Sequence, residues 1–202
     1  MKNIKSFESF LFENKNIGYL YHFTNVSSLE GILSEDRMES SAIYNYISLS
    51  RNPKFNTETK GFRGKNIRIM FDGSRLSDKF HIEPYLYNPA KDTMYGSTED
   101  WKNDVIALYP EYKDYKNLRK DYGSEREERI IGDKEKDGPI EIKGIIKYIL
   151  SVELDNSKVT DEKYKKAYEK LFVEYKKMFP NIDFEIVNNF KYPVQKHFKK
   201  VF

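Results

Sequence analysis

The chain has 202 residues, of which 39% are hydrophobic and 33% are charged, and its aromatic residues are 16 Tyr, 14 Phe and one Trp. This composition excludes a wholly disordered protein, and no apolar run is long enough to span a membrane. The absence of cysteine excludes disulfides, thiol nucleophiles and cysteine-ligated metal centres. Three histidines argue against a metal site built from several imidazoles, and a net charge of +3 is too balanced to predict nucleic-acid binding by itself.

The first part of the chain predicts two strands with a helix between them. The aromatic run Gly18–Thr24 (GYLYHFT) is typical of a strand. A helix follows, capped by Asn25 or Ser27 and ending near Ser34, and its inward positions are Val26, Leu29, Ile32 and Leu33. The segment Tyr44–Arg51 (YNYISLSR) then alternates as a strand does, with one face formed by Tyr44, Tyr46, Ser48 and Ser50.

The rest of the chain mixes the two kinds of element. A polar loop over 52–65 suits either a flap over a site or a surface insertion. Strands or extended segments are predicted over 66–72, 80–87, 125–132 and 182–187, and a helix or strand over 142–154. Helices are predicted near 98–108, 111–121 and 160–179, the last with the inward positions Ala167, Leu171, Phe172, Tyr175 and Met178. This order predicts an α+β fold, and the absence of a glycine-rich phosphate loop argues against the doubly wound nucleotide-binding folds.

Three clusters carry side chains suited to chemistry. They are Tyr21-His22-Phe23-Thr24, Ser48-Leu49-Ser50-Arg51, and the acidic run EREER over 125–129, which precedes Ile130-Ile131. Each has a structural alternative: a hydrogen-bonded histidine, solvent-facing serines, or a solvated charge run on a helix. The register also leaves open whether Glu127 or Glu128 faces a cleft, because a shift of one residue reverses the faces of a strand. Arg129 suits either carboxylate as an ion-pair partner.

The order of these clusters resembles the ADP-ribosyltransferase superfamily. The matching part covers about residues 18–155. It has a histidine on the first strand, then Ser-x-Ser on a later strand, and then Glu-x-Glu at the start of another strand. The segments LYHFTNVSSLEGIL and YISLSRNP resemble phage and bacterial toxin-like members, including relatives of DNA-modifying toxins. The resemblance implies a split, mostly antiparallel sheet with flanking helices, and transfer of ADP-ribose from NAD to a macromolecule. The chain departs from the arginine-modifying toxins in having His on the first strand and Ser-Leu-Ser in place of Ser-Thr-Ser.

The resemblance also implies roles for individual residues. Glu127 would grip the ribose 2′-hydroxyl and stabilise the positive charge that develops as the nicotinamide bond breaks. Glu125 would act as the general base for the acceptor. The remaining assignments all concern NAD, and no metal is implied. Ser48 and Ser50 would orient the ribose, and His22 would contact the ribose or the nicotinamide, with Thr24 in the same site. Arg51 would bind the pyrophosphate, and Tyr44 or Tyr46 would stack on the nicotinamide ring.

The ends of the chain give further expectations. Residues 1–17 predict an amphipathic helix and a polar break before the domain at 18–202, and MKNIKSFESFLFE resembles phage capsid-targeting leaders that are cut after Leu-x-Glu, here between Glu13 and Asn14. An ordinary docked helix is the alternative. A leader would place the protein in the virion interior and then in the host cytoplasm. Without a leader, the expected location of the protein is the cytoplasm. The Lys-rich tail over 188–202 suits nucleic-acid contact or a docked segment.

Three functions therefore remain open at the level of sequence. The first is an NAD-dependent ADP-ribosyltransferase acting on a host protein or nucleic acid, with a phage capsid as a possible partner and no membrane. The second is a catalytically inactive protein of the same fold that packs in a virion or binds a host protein. The third is a nucleic-acid-binding protein that depends on the basic tail.

Overall fold

The computed structural model describes residues 18–41, 44–53, 64–84, 127–131 and 139–191. In these ranges the strands are β1 (Tyr19–Thr24), β2 (Arg37–Glu39), β3 (Tyr46–Ser50), β4 (Ile67–Asp72), β5 (Ile82–Pro84), β6 (Glu127–Ile131), β7 (Glu141–Lys143), β8 (Ile149–Asp155) and β9 (Asp183–Val187). The helices are α1 (Val26–Glu35), α2 (Gly73–Ser77) and α3 (Glu162–Met178), with short 3-10 helices at Ile146–Tyr148 and Asn156–Lys158.

The strands of the described residues form two sheets. The larger has seven strands in the order β5-β6-β3-β1-β4-β8-β9, and β2 pairs with β7 in a separate small sheet. Every neighbouring pair in the large sheet is antiparallel except β8 and β9, which are parallel and joined by α3. The mixture of a mainly antiparallel sheet with flanking helices makes the fold α+β, as the sequence predicts.

The core lies on one face of the large sheet. Strand residues such as Leu20, Leu49 and Ile69 are almost completely buried there. Helix α1 packs on this face through the four positions that its sequence spacing predicts, Val26, Leu29, Ile32 and Leu33. Its N-cap is Asn25, whose side chain accepts a hydrogen bond from the Ser28 backbone N–H at 2.9 Å, so Ser27 lies inside the helix and does not cap it.

Helix α3 covers the other end of the same face with a narrower apolar stripe than the sequence predicts. Phe172 and Tyr175 are buried, and Phe172 meets Phe184 of β9 edge-on with ring centroids 5.7 Å apart. Leu171 is only half-buried, and Ala167 is exposed. Met178 is 66% exposed because it lies in the last turn, so the prediction that Ala167 and Met178 point inward is wrong.

Other predicted elements differ in extent. The segment over 142–154 is neither one helix nor one strand, since it contains the end of β7, a 3-10 helix and most of β8. Strand β2 was not predicted, because three residues are too few to show a periodicity. Several predicted segments lie outside the described residues: the leader, the helices near 98–108 and 111–121, and most of the 52–65 loop and of the basic tail. No helix in the described ranges is both long enough and apolar enough to cross a bilayer.

Candidate functional site

The three strands that carry the predicted clusters are neighbours in the large sheet. Strand β3 lies between β1 and β6, and its register pairs Ser50 with Glu127 and Ser48 with Arg129. Residues paired across antiparallel strands project to the same face. The face opposite the core therefore carries the side chains of Tyr46, Ser48, Ser50, Glu127 and Arg129 together.

The register of β6 on β3 shows which of the two adjacent acids, Glu127 and Glu128, faces the core. Glu128 pairs with Leu49 and its side chain is 0% exposed within the core, where it accepts a hydrogen bond from the Arg51 Nε. Glu127 projects to the other face. Glu127 is therefore the acid that is available to a site on the face opposite the core. Glu125, the predicted general base, lies outside the described residues.

The Glu127 carboxylate is held by donors on two strands. The Ser48 hydroxyl donates to Glu127 Oε1 at 2.7 Å, and Arg129 Nε donates to the same oxygen at 2.9 Å. Arg129 Nη2 donates a longer bond of 3.4 Å to Oε2. The Glu127 side chain is 11% exposed. Charge-assisted bonds to a carboxylate with so little water around it fix its orientation.

An aromatic pair continues this face beyond the carboxylate. The Arg129 guanidinium carbon lies 3.8 Å from the centre of the Tyr46 ring, a stacked cation–π contact. The rings of Tyr46 and Tyr44 are 5.0 Å apart and tilted by 32°, and Tyr44 is 45% exposed. Of the predicted stacking residues, Tyr46 is connected to Glu127 through Arg129, and Tyr44 packs against Tyr46.

His22 meets the same strand from the other side. Tyr21 pairs with Ser50, so Tyr21 shares the face of Glu127 and His22 belongs to the core face. The His22 Nδ1 lies 3.1 Å from the Ser48 carbonyl oxygen, and because that oxygen can only accept, we assign the proton to Nδ1. The expectation that His22 faces Glu127 directly across a cleft is not met. The two residues are linked through Ser48, whose carbonyl binds one and whose hydroxyl binds the other.

His22 is neutral at physiological pH. Burial lowers its pKa to about 4 from the ordinary value of 6.5, and the positive charge of Lys65 adds to this, whereas the hydrogen bond to Ser48 opposes it. In a neutral ring protonated at Nδ1, the other nitrogen, Nε2, is a hydrogen-bond acceptor. A ligand that reaches His22 would therefore have to offer an N–H or O–H group.

The lowered pKa predicts an acid-dependent loss of stability. Between pH 6.5 and 4 the unfolded chain binds a proton at His22 while the folded protein does not, so the stabilisation present above pH 6.5 is lost as the pH falls through this window. The loss should reach at most about 3 kcal/mol. Urea unfolding of the wild type, His22→Gln and the exposed-site control His81→Gln at pH 7, 5 and 4 measures it. An equal acid response in wild type and His22→Gln would contradict the prediction.

A cleft of about 300 Å³ opens next to His22 on the core face. Its walls come from β1, α1 and β2, and its lining includes His22, Thr24, Ser28, Gly31, Arg37 and Met38. Two of these, His22 and Thr24, were predicted cofactor contacts. The other four were missed: Ser28 and Gly31 lie on the outward face of α1, and Arg37 and Met38 lie on the unpredicted strand β2. None of the predicted residues on β3 or β6 is among the lining residues in the described part of the chain.

Arg51 does not occupy the position that the sequence analysis gave it, whereas Ser50 shares the face of Ser48 and Glu127 as predicted. Arg51 was expected to meet a pyrophosphate, but it points into the core and pairs with Glu128. The Ser50 hydroxyl accepts from the Asn52 backbone N–H at 2.9 Å, which turns the chain after β3. Both residues therefore support the local structure. The sequence holds a signal for Arg51 alone, which follows the inward phase of Ile47 and Leu49 on β3.

No protein-family model, no curated protein and no solved structure matches this chain. Within the described ranges no three His, Asp or Glu side chains come together in a way that could hold a metal ion. The site is described by its geometry alone: Ser48 binds the Glu127 carboxylate on one face of the sheet and the neutral His22 imidazole on the other, and the tyrosine pair contacts Arg129.

Proposed function

We propose that the protein is an NAD-dependent ADP-ribosyltransferase that modifies a macromolecule, with Glu127 as its essential carboxylate. The observation that carries the proposal is the hydrogen bond from Ser48 to Glu127 at 2.7 Å. It joins the Ser-x-Ser strand to the Glu-x-Glu strand, while His22 on the third strand bonds to the carbonyl of the same serine. Three motifs far apart in sequence thus converge on one residue.

The shape of the sheet gives further support. Strand β1 pairs with β4 at six positions but, among the described residues, with β3 at a single position, Tyr21 with Ser50. Strands β1 and β3 therefore part on one side of this contact, and His22 reaches across to the Ser48 carbonyl. The resemblance to ADP-ribosyltransferases implies a split, mostly antiparallel sheet, and the short pairing of β1 with β3 supports a split at this point.

The cleft beside His22 opens on the core face, whereas Glu127 projects to the opposite face, so the ribose that Glu127 would contact does not lie in this cleft. Its volume of about 300 Å³ is at the lower limit for ligand pockets, and is too small for an entire dinucleotide. The His22 imidazole and the hydroxyls of Thr24 and Ser28 line the cleft and offer polar contacts to a ligand bound apart from Glu127. The Arg37 guanidinium at the rim is bound by three carboxylates, Glu35, Glu39 and Glu141, whose surplus negative charge does not suit a pyrophosphate.

The chain's own residues can perform the charge stabilisation that the reaction needs. When NAD is bound, it supplies a bond between ribose and nicotinamide that breaks as the acceptor attaches to the ribose carbon and releases a proton. On the face opposite the core, the Glu127 carboxylate can accept a hydrogen bond from a sugar hydroxyl and stabilise the positive charge on that sugar. Because Ser48 and Arg129 already hold the carboxylate, it needs no reorganisation when the charge develops.

The proposal predicts the result of one substitution. Glu127→Gln keeps the shape of the side chain but removes its charge, so the rate of nicotinamide release from NAD should fall by about 100-fold or more. Glu169→Gln, on the exposed side of α3, is the matched control and should react like the wild type. Nicotinamide release is measured chromatographically, and transfer is measured with NAD labelled in the ADP-ribose part and a bacterial lysate. Equal rates for wild type and Glu127→Gln would reject Glu127 as the essential acid.

A catalytically inactive protein of the same fold is the second candidate. The observation that favours it is the placement of His22 on the core face, opposite the face of Glu127. Calorimetric titration with NAD separates the two candidates. Heat of binding with nicotinamide release supports the enzyme, whereas neither binding nor release supports an inactive module.

The basic tail gives little support to nucleic-acid binding by this segment. Phe190, its one aromatic residue in the described ranges, packs at 5.8 Å from Phe23, and the cations of Arg68 and Lys158 lie 5.0 Å and 5.3 Å from its ring. A ring held in this way is docked on the domain and is not presented for stacking on bases.

A further inference from the structure

We infer that Arg129 is a positioning residue for Glu127, and that Tyr46 holds Arg129 in place; this inference rests on the proposed function. Arg129 and Glu127 are two residues apart on β6, so both project to the face opposite the core. Arg129 donates from Nε to Oε1 at 2.9 Å and from Nη2 to Oε2 at 3.4 Å. The guanidinium thus lies against both oxygens of the carboxylate.

The two donors to Glu127 Oε1 come from different strands and constrain different motions. Ser48 approaches from β3 and fixes how far the carboxylate lies from that strand. Arg129 approaches along β6 and, with its planar fork, fixes the rotation of the carboxylate about its own axis. Loss of either donor leaves one motion free, and a small displacement of a reacting group is enough to slow a reaction severely.

Tyr46 explains why this position requires an arginine. Its ring centre is 3.8 Å from the guanidinium carbon, so ring and guanidinium are stacked. A lysine ammonium has neither the planar fork nor the flat face for this stack. Arg129→Lys should therefore retain the positive charge but no longer hold the Glu127 carboxylate in its orientation. This variant distinguishes a role in orienting Glu127 from a role in neutralising its charge.

Kinetics of nicotinamide release test the role. Arg129→Ala should lower kcat by about 100-fold and leave the KM for NAD nearly unchanged, because Arg129 acts through its bonds to Glu127. Arg129→Lys should stay well below the wild type, and Tyr46→Ala should lower kcat in the same way. Added guanidinium ion, far below denaturing concentration, should restore part of the activity of Arg129→Ala, whereas sodium chloride at equal ionic strength should not. Arg75→Ala, at an exposed arginine of α2, is the control.

An NMR measurement tests the geometry without turnover. The Nε–H signal of Arg129 should shift in Glu127→Gln and exchange faster with water in Tyr46→Ala, and an Arg129 signal insensitive to both changes would overturn the inference. A wild type that releases nicotinamide together with an unimpaired Arg129→Ala would overturn the positioning role alone and leave the proposed function standing. A wild type that releases none would overturn the proposed function and this inference with it.

Discussion

Replacing Glu128 by leucine is expected to destabilise the protein by about 3–5 kcal/mol. The Glu128 side chain is fully buried, and its partner Arg51 is 12% exposed, so neither charge can be solvated if the other is removed. Leucine has a suitable size for the site but leaves the Arg51 guanidinium without its carboxylate in the core. The free energy of unfolding from urea titration measures the effect.

The double variant Arg51→Met with Glu128→Leu gives the control. Replacing both members of a buried ion pair by apolar residues of similar size is often neutral or stabilising, so most of the loss should be recovered. A single variant as stable as the wild type would show that Glu128 is not in the core. The register of β6 would then be different, and the assignment of Glu127 to the opposite face would have to be abandoned.

This pair also shows what the EREER run could and could not indicate. Its sequence predicts a strand from the following Ile-Ile, and a strand places adjacent acids on opposite faces. Which acid faces inward depends on pairing with β3, and the carboxylate in the core is compensated by Arg51, 77 residues earlier. A contact at that separation leaves no local pattern.

The local sequence pattern is sufficient to predict which side chains are buried when one face of a helix or strand is uniformly apolar. Helix α1 has four apolar positions at helical spacing and a residue that can cap it, and all four are buried. In β3 the alternation of Ile47 and Leu49 with polar residues predicts the faces of Ser48 and Ser50. These elements obey their own periodicity because the sheet has one core face to cover.

The position of His22 could not be predicted in the same way. Its strand carries three aromatic residues on one face, whereas His22 shares the other with Leu20 and Thr24, so the alternation does not show which face meets the core. The pairing of Tyr21 with Ser50 decides the phase and places His22 on the core side. Arg37 was missed because the small β2–β7 sheet brings together segments about 100 residues apart, each only three residues long.

Replacing Arg68 by methionine is expected to destabilise the protein by about 3–5 kcal/mol at neutral pH. Arg68 on β4 is 2% exposed and donates to Glu153 Oε2 at 2.5 Å. Burial raises the pKa of Glu153, and Arg68 partly offsets this by favouring the ionised form. Without Arg68, Glu153 must either remain ionised where little water reaches it or take up a proton, and both options are unfavourable at neutral pH.

The dependence on pH tests this explanation of the Arg68→Met effect. A carboxyl whose pKa is raised in the folded state contributes stability that is fully present below the unfolded pKa and is lost as the pH rises through the folded one. The deficit of Arg68→Met should therefore shrink on acidification, and the double variant with Glu153→Gln should recover much of it at neutral pH. A deficit that is independent of pH and of Glu153 would point to lost packing instead.

Arg68 also anchors two chain segments, so the same substitution should have a local effect. Its Nη1 donates to the carbonyl oxygen of Pro53, where the polar loop begins, and to that of Lys191 at 2.9 Å, where the basic tail begins. In addition, Tyr21 and Phe190 lie within cation–π distance of its guanidinium. Loss of these bonds should release the chain around Lys191, so trypsin should cut there faster in Arg68→Met than in Arg75→Met. Equal cleavage rates in both variants would show that Phe190 alone is sufficient to hold this part of the chain.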